Sequence, residues 1–192
     1  MPALRKYLAL DLGAESGRGM LGCFDGTTLT LEEVHRFQNG PVKILDHIHW
    51  DALGIFANLK QSIANAAAKA GRIDSIAVDT WGVDYALLAR DGSLLGNPYH
   101  YRDARTDGIM ESVFALVPRR EIFQYTGIQF MQLNTLFQLY AMVLAKSPLL
   151  EVADRMLMMP DLFNYLFTGR MVGEYTDATT TQLMDPRDGT WV

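Results

Sequence analysis

A turn near the N-terminus carries residue types that suit phosphate. Asp11–Arg18 (DLGAESGR) contains, in order, an acid, a glycine, a hydroxyl, a second glycine and a guanidinium. It lies between two predicted strands, whereas P-loops and dinucleotide-binding loops open a helix, so it is neither of those. A tight glycine-containing turn can instead aim successive backbone N–H groups into one concavity that binds phosphate oxygens.

Each residue type in this turn has a chemical use. Gly13 and Gly17 would permit unusual backbone conformations and a close approach of ligand. Ser16 adds a hydroxyl donor, and Arg18 adds a guanidinium suited to phosphate. Asp11, at the end of the first strand, could hold Mg²⁺ through water. An ordinary β-turn with an exposed acid and arginine is the alternative, but the ordered set within eight residues favours phosphate binding.

A second segment, Asp79–Asp84 (DTWGVD), follows the apolar run Ile73–Asp79, which predicts a buried strand. In open α/β sheets ligands collect at the carboxyl ends of strands. The segment offers carboxylates for hydroxyl groups, an indole face and an accessible glycine backbone, which together suit a sugar. We therefore name Trp81, Gly82 and Asp84 as candidate substrate contacts. A strand-end turn with Trp81 packed in the core is an equally good interpretation of the segment alone.

A third polar segment is Tyr101–Arg105 (YRDAR). Asp103 and Arg105 could form an internal ion pair or bracket a polar ligand, and the residues alone leave both open. His47 and His49 have the spacing of a metal-binding pair, but only one further histidine follows them. A metal hydrolase would need more ligands, so that class is not favoured.

The elements around these segments predict an α/β domain. Three strands, Tyr7–Leu12, Arg18–Phe24 and Thr28–Phe37, open the chain as two consecutive hairpins. A helix should follow from an N-cap at Asp51 to about Ala70. Its apolar face should consist of Leu53, Phe56, Leu59, Ile63 and Ala67.

The rest of the chain reads as mainly helical. The further predicted elements are the strands Tyr85–Leu88 and Met156–Met159 and the helices Thr106–Leu116, Arg119–Tyr125, Thr135–Ala145 and Asp161–Phe167. Met184–Val192 reads as a loop that ends without a closing element, which we interpret as a sign of truncation.

Composition narrows the class of protein. The 192 residues are 49% hydrophobic and 20% charged, as in one globular domain spanning 1–192. The net charge of -5 argues against a nucleic-acid partner, which needs a basic surface. Cys23 is the only cysteine, and no apolar run approaches the ~20 residues of a membrane span. We expect a soluble cytoplasmic protein that binds neither nucleic acid nor membrane.

Taken together, the segments resemble the FGGY carbohydrate kinases over nearly the whole chain. DLGAESGR is similar to the family's D-x-G-x-x-S-x-R phosphate loop, and Asn134–Leu139, Met159–Gly169 and Tyr175–Leu183 fall in family order. The resemblance implies a ribonuclease H-like (actin-like ATPase) fold, with a mixed β-sheet flanked by helices, and ATP with Mg²⁺ as the phosphate donor. It gives the nucleotide-phosphate role to Ala14, Glu15, Ser16, Gly17 and Arg18, beside Asp11 and Gly13.

Within the family, DTWGVDY, YRDART and GIQFMQLNTL resemble the rhamnulokinase branch. That resemblance implies phosphorylation of L-rhamnulose at O1, with the backbone of Gly82 contacting the sugar. From their residue types, Trp81, Asp84 and Asp103 are further candidate substrate contacts. It also places the general base and the adenine-binding domain after Val192, so no catalytic residue is expected within the chain. The alternatives are another FGGY kinase, such as a fuculokinase or xylulokinase, and a non-catalytic actin-like nucleotide-binding domain.

Overall fold

A computed structural model describes residues 4–192 of the chain. The strands are β1 (Arg5–Leu12), β2 (Ser16–Phe24), β3 (Leu29–Gln38), β4 (Pro41–Ile44), β5 (His47–Trp50), β6 (Ser75–Asp79), β7 (Tyr85–Leu88), β8 (Arg155–Met158), β9 (Met184–Asp185) and β10 (Thr190–Trp191). The α-helices are α1 (Ala52–Ala70), α2 (Ile109–Leu116), α3 (Arg119–Thr126), α4 (Thr135–Leu144), α5 (Leu149–Val152), α6 (Met159–Thr168) and α7 (Tyr175–Ala178). Short 3₁₀ turns cover Ala104–Thr106 and Thr179–Thr181.

The described residues divide into two compact units. The first holds the described residues up to Gly40 together with Asp51–Trp81, and the second holds Pro41–Trp50 and Gly82–Val192. Among residues 4–192, every helix is too short or too polar to cross a membrane.

The first unit is built on a four-stranded sheet in the order β3-β2-β1-β6. β1 pairs antiparallel with β2 and parallel with β6, and β2 pairs antiparallel with β3. The predicted pair of consecutive hairpins and the mixed sheet are therefore confirmed. Side chains alternate along β1, so that Leu8, Leu10 and Leu12 are buried. Burying each of them contributes roughly 1.5–3 kcal/mol.

Helix α1 begins and ends where the sequence predicts. The Asp51 carboxylate accepts a hydrogen bond from Gly54 N at 2.9 Å, which satisfies one of the free N–H groups at the helix start. At the other end Gly71 adopts a positive φ of 70°, and its N–H donates to Ala67 O at 2.7 Å. Glycine reaches that backbone conformation without a steric penalty.

The predicted apolar face of α1 is confirmed at Leu59 and is wrong by about one position at the other four residues. Leu53 is 62% exposed, and the buried residues are Ala52, Ile55, Leu59, Ser62 and Ala66. Close packing explains the difference, because a Cβ at Gly19 of β2 would lie 2.8 Å from Ser62 Cβ. The buried face of the helix thus mixes small side chains with Ile55 and Leu59, and a search for large apolar residues alone does not find the small ones.

The strand predicted within 73–79 exists as β6, but the prediction that it is buried was wrong. Among the described residues β6 pairs only with β1, at the border of the sheet, and Ile76 is 42% exposed. An apolar run predicts a strand, but burial depends on what packs against its two faces.

The second unit combines two-stranded sheets with most of the helices. β4 pairs with β5 and β7 with β8, both antiparallel. One hydrophobic cluster joins α2, α3 and α4 through Ile109, Val113, Ile122, Phe137 and Ala141. A second joins Tyr85, Met142 and Met158, so that β7 and β8 pack against α4.

The C-terminal segment is not the loop that the sequence predicts. β9 and β10 form a small antiparallel hairpin, with Thr190 opposite Asp185. The turn is held by the Asp185 carboxylate, which accepts hydrogen bonds from the backbone N–H and the guanidinium of Arg187. These hydrogen bonds lower the pKa of Asp185 to about 2. β9 and β10 contain only two residues each, which is too short for an alternating apolar pattern to mark them as strands in the sequence.

Candidate functional site: a loop with free donors and a strained turn

The connection between β1 and β2 leaves backbone donors free. Gly13 N–H donates to Ser16 O at 2.9 Å, and Asn39 donates to Glu15 O and Gly13 O at 3.0 and 2.7 Å. The carbonyl groups of Gly13, Glu15 and Ser16 are thereby occupied. Within residues 4–192 nothing accepts from the N–H groups of Ala14 and Glu15, and Ser16 Oγ makes no hydrogen bond. Adjacent unpaired N–H groups beside a hydroxyl are the donors that a phosphate needs.

The two glycines of this loop serve close approach rather than unusual backbone angles. Neither Gly13 nor Gly17 has a positive φ, so the expected conformational role was wrong. A Cβ at Gly17 would lie 2.2 Å from the ring of Phe37, which packs across the loop from β3. At Gly13 it would lie 3.3 Å from Ser16 O, tight against the turn itself. The neighbour that requires Gly17 is thus an aromatic ring of the same unit.

Four charged residues form one row across the sheet beside this loop. Arg36, Arg18, Asp11 and Asp79 are consecutive register partners on β3, β2, β1 and β6. Arg18 donates to Asp11 Oδ2 through Nε at 2.9 Å and Nη2 at 2.6 Å, with both side chains about 40% exposed. An exposed ion pair of this kind contributes little to stability, so both groups can exchange partners when a charged ligand arrives.

The two carboxylates of this row, Asp11 and Asp79, could hold a divalent cation. Asp11 and Asp79 place two carboxylates at neighbouring strand ends, where like charges repel, and Arg18 pairs with Asp11. Both hydrogen bonds from Arg18 go to Oδ2 of Asp11, and among the described residues nothing donates to Oδ1. Mg²⁺ prefers carboxylate oxygens, water and phosphate oxygens, so the residues present fit it.

The second segment forms an unusual tight turn in the second unit. Asp84 N–H donates to Gly82 O at 2.9 Å, which closes a three-residue γ-turn around Val83. Val83 has a φ of 69°, a region that a β-branched residue rarely adopts. The γ-turn with positive φ is the rare and strained form. Strained backbone of this kind clusters at ligand sites, where surrounding contacts enforce it.

Asp84 anchors the C-terminal side of this turn from the protein interior. It is fully buried, and its carboxylate accepts from Trp50 Nε1 at 2.6 Å, Tyr101 N at 3.1 Å and Gln138 Nε2 at 2.9 Å. A buried carboxylate needs such donors because burial otherwise disfavours its charge. Asp84 is thus engaged inside the protein instead of being free to contact a ligand. Its hydrogen bond from Tyr101 N joins the segment Asp79–Asp84 to the segment Tyr101–Arg105.

Asp103 is likewise engaged within the protein. It is 2% exposed and accepts from Ile48 N at 2.7 Å, Arg105 N at 3.0 Å and His47 Nδ1 at 3.1 Å. Burial alone would raise the pKa of Asp103, but these hydrogen bonds outweigh it and hold the pKa below its usual value. Its carboxylate stays 3.8 Å from Arg105 Nε, too far for a hydrogen bond. Asp103 therefore serves contacts inside the protein rather than bracketing a polar ligand with Arg105.

Arg105 closes the third segment onto α4. Its guanidinium donates to Gln138 O at 2.6 Å and Gln138 Oε1 at 2.7 Å, and it lies over the Tyr99 ring at 4.1 Å. Gln138, in turn, donates to Asp84, so one glutamine joins both segments. No sequence pattern marked Gln138, because its partners lie 33 and 54 residues away.

The structure also locates the histidine pair, the threonine run and Trp81. His47 contacts Asp103, and within residues 4–192 no group of three histidine, cysteine, aspartate or glutamate side chains has the geometry of a metal site. Thr180, in a threonine run without an obvious role in the sequence, accepts a hydrogen bond from Val83 N at 3.1 Å across 97 residues of chain. Trp81 is half-buried at the end of the first unit.

Comparison with known proteins gives consistent results. Residues 6–192 match the sequence profile described as the FGGY family of carbohydrate kinases, N-terminal domain. The chain is 46% identical over 191 residues to a rhamnulokinase of Pectobacterium atrosepticum and 43% identical over 181 residues to a rhamnulokinase of Bacteroides thetaiotaomicron. The alignments cover 98% and 94% of this chain but only 38% and 37% of those relatives.

Solved structures share the fold at lower identity. Gluconate kinase from Lactobacillus acidophilus superimposes with a TM-score of 0.86 over 99% of this chain and 38% of its own, at 18% identity. Plasmodium falciparum glycerol kinase with ADP superimposes with a TM-score of 0.77 over 100% of this chain and 40% of its own, at 16% identity. These similarities establish the sugar-kinase form of the actin-like fold for this chain.

Proposed function

Because the chain belongs to the FGGY family of carbohydrate kinases, we propose that it forms the phosphate-binding and sugar-binding part of a rhamnulokinase. The reaction is transfer of the γ-phosphoryl group of ATP to O1 of L-rhamnulose, which yields L-rhamnulose 1-phosphate and ADP. The observation that carries the choice of sugar is the high identity to two rhamnulokinases over almost the whole chain. The solved relatives are too distant to favour another sugar.

The β1–β2 loop would bind the nucleotide phosphates. The free N–H groups of Ala14 and Glu15 and the hydroxyl of Ser16 donate to phosphate oxygens, and Arg18 adds a positive charge. Phosphoryl transfer depends mainly on positioning and on neutralising charge that moves during the reaction. Arg18 would therefore matter more in the transition state than in binding ATP.

Asp11, with Asp79 beside it, would hold Mg²⁺ through water molecules. When bound, the ion supplies positive charge to the phosphate oxygens of ATP. Asp11 would then release Arg18 from their ion pair, so that the guanidinium turns toward phosphate.

The turn at Gly82 would contact the sugar. Within residues 4–192 nothing accepts from Gly82 N–H, and glycine lets a hydroxyl group approach its backbone closely. Trp81 would offer an apolar face suited to the methyl group of a 6-deoxy sugar. Asp84 and Asp103 would act indirectly, by fixing the turn and the third segment in place.

We further propose that residues 1–192 constitute the N-terminal domain of a longer kinase, with the adenine site and the general base in the part that follows. Such a kinase would work in the cytoplasm, where ATP is available.

The test is a substrate panel on the full-length kinase that contains this chain. ADP release is coupled to an optical readout with L-rhamnulose, L-fuculose, D-xylulose and glycerol, and phosphorus NMR locates the new phosphate. We expect the highest kcat/KM with L-rhamnulose and a phosphate on O1. A higher kcat/KM with D-xylulose or L-fuculose would assign the chain to another branch of the family.

Gly82→Val is not a clean test of sugar contact. A Cβ at residue 82 would lie 3.1 Å from Thr180 and 3.2 Å from Asp177 Oδ1, so a larger side chain would strain the turn before it met a sugar. The residues that hold the turn therefore provide a better test.

A further inference from the structure

The γ-turn at Val83 cannot be explained by its own sequence. Valine is β-branched, and a positive φ brings its side chain against the backbone. Glycine or asparagine would adopt this φ more readily. Val83 nevertheless stands there, 8% exposed, with a φ of 69°. Contacts from elsewhere in the second unit must therefore enforce the turn.

Two threonine hydroxyl groups make those contacts. Thr135 Oγ1, at the start of α4, donates to Val83 O at 2.6 Å. Thr180 Oγ1 accepts from Val83 N at 3.1 Å. The Thr180 hydroxyl hydrogen is directed to Asp177 O at 2.7 Å, so its lone pairs are left to face Val83 N. Each backbone polar group of Val83 is thus held by a hydroxyl group, and Gln138 Nε2 makes a longer second hydrogen bond to Val83 O at 3.3 Å.

The remaining contacts confine any relaxation to this residue. The Asp84 carboxylate is fixed by Trp50, Tyr101 and Gln138. Without the hydroxyl groups, Val83 would relax to negative φ, and the peptide groups on either side of it would rotate. Because Asp84 is anchored, the change in φ of Val83 would carry Gly82 with it, and the direction of Gly82 N–H would change while the Asp84 side stayed in place.

We propose that Thr135 and Thr180 are positioning residues for the sugar, which hold the strained γ-turn so that Gly82 N–H points at a substrate hydroxyl. The inference rests on the proposed function, because it assigns the Gly82 backbone to the sugar. Neither threonine has to touch the sugar. The strain stored at Val83 makes the contact depend on both hydroxyl groups, although each lies far along the chain from residue 82.

The experiment replaces each hydroxyl by a methyl group in the full-length kinase. Thr135→Val and Thr180→Val are compared with Thr126→Val, a matched control at 2% exposure whose hydroxyl bonds only within its own helix, to Ile122 O. We expect KM for L-rhamnulose to rise about tenfold in each positioning variant, with KM for ATP unchanged, as loss of one backbone contact implies. Thr126→Val should leave both KM values unchanged.

Serine and glycine variants separate positioning from stability. Thr135→Ser and Thr180→Ser keep the hydroxyl and should keep the wild-type sugar KM. Val83→Gly, added to Thr180→Val, removes the steric resistance to positive φ and should lower the sugar KM toward wild type, even though the melting temperature falls. A general loss of folding would not be reversed by a second cavity-forming substitution.

The results distinguish a positioning role of the two threonines from a purely structural role. Sugar KM values equal to that of Thr126→Val, or a failure of Val83→Gly to lower the raised KM, would overturn the positioning role. If the wild type phosphorylates a different ketose, the choice of L-rhamnulose fails, and the same variants are compared on that ketose. A wild type that phosphorylates no sugar would contradict both proposals.

Discussion

Residues of one chemical type have different tasks according to what lies around them. Asp11 is exposed and shares one oxygen with Arg18, whereas Asp84 and Asp103 are buried and fully occupied by donors from their own unit. The sequence suggested all three as ligand contacts, because a carboxylate beside a glycine or an arginine has the same pattern in each case. Exposure and the number of donors already engaged separate the available acid from the structural ones.

At the phosphate loop, Arg18→Ala in the full-length kinase should lower kcat by about 10²–10³-fold, the usual loss when one charge contact in the transition state is removed. KM for the sugar should stay close to wild type. Arg72→Ala is the control, because Arg72 is an 87% exposed arginine in the same unit that pairs with Asp74. Steady-state kinetics decide the matter, and a large rise in sugar KM with unchanged kcat would remove Arg18 from the phosphate site.

His100 should make stability depend on pH. Burial, followed by the nearby positive charge of Arg102, lowers the pKa of His100 from 6.5 to about 4. The unfolded chain therefore binds more protons than the folded one between about pH 6.5 and 4, and stability falls as the pH drops through that window. The contribution lost is as much as about 3 kcal/mol.

His100→Asn tests this contribution. Asparagine can still accept the hydrogen bond that Arg102 N now donates to His100 Nδ1 at 3.0 Å, but it does not titrate. Melting temperatures at pH 7.5, 6.0 and 4.5 should converge for variant and wild type as the pH falls. A constant difference between the two melting temperatures at all three pH values would show that the folded and unfolded chains protonate His100 equally, which would contradict a pKa lowered by folding.

At the scale of elements, the hairpin of β1 and β2 is shaped by what packs across it. Gly17 lies under the Phe37 ring of β3, which itself stacks on His35 with ring centroids 5.5 Å apart. The loop that offers free N–H groups is therefore supported from the neighbouring strand. An aromatic ring over a glycine keeps the loop backbone in one position without using its hydrogen-bonding groups.

Gly17→Ala should accordingly destabilise the kinase by about 1–3 kcal/mol, the usual cost of overpacking. The added methyl group would force the Phe37 ring away. In the double variant Gly17→Ala with Phe37→Leu, the smaller side chain leaves room, so the two losses of stability should be less than additive. Thermal or urea unfolding of the two single variants and the double variant measures this. Strict additivity would indicate that the methyl group meets something other than the ring.

Sequence patterns within a few residues predicted most helices and strands, but few of the contacts between them. The hairpins, α1 with its N-cap at Asp51, and β7 follow from turn residues, capping and periodicity, which act within a few residues. The face of α1, the exposure of β6 and the hairpin at Met184–Val192 did not follow, because they depend on packing between distant segments. The same limit applies to the candidate site: Gly82 was predicted from its neighbours in sequence, whereas Thr135 and Thr180 contact Val83 across 52 and 97 residues.

At the scale of the whole molecule, the two candidate sites offer donors for ligands, but the candidate carboxylates beside them offer no base. The loop of the first unit offers donors, and the turn of the second offers one free backbone N–H. Of the candidate carboxylates, Asp11 is paired with Arg18, and Asp84 and Asp103 are buried among donors. Transfer to a sugar hydroxyl needs a base that accepts its proton. None of these three carboxylates is placed to do so, and the chain spans only 38% of the length of the rhamnulokinase from Pectobacterium atrosepticum.

Residues 1–192 expressed alone should therefore give only background phosphorylation of L-rhamnulose with MgATP, whereas the full-length kinase should be active. The reason is chemical, since a phosphate loop and a sugar contact can hold reactants but cannot take up the proton released on transfer. A coupled assay measures turnover for both proteins, and a circular dichroism melt verifies that the shorter one is folded. Clear turnover by a folded 192-residue chain would mean that one of its own carboxylates serves as the base, and Asp11 and Asp79, as the exposed pair at the strand ends, would be the first to replace by asparagine.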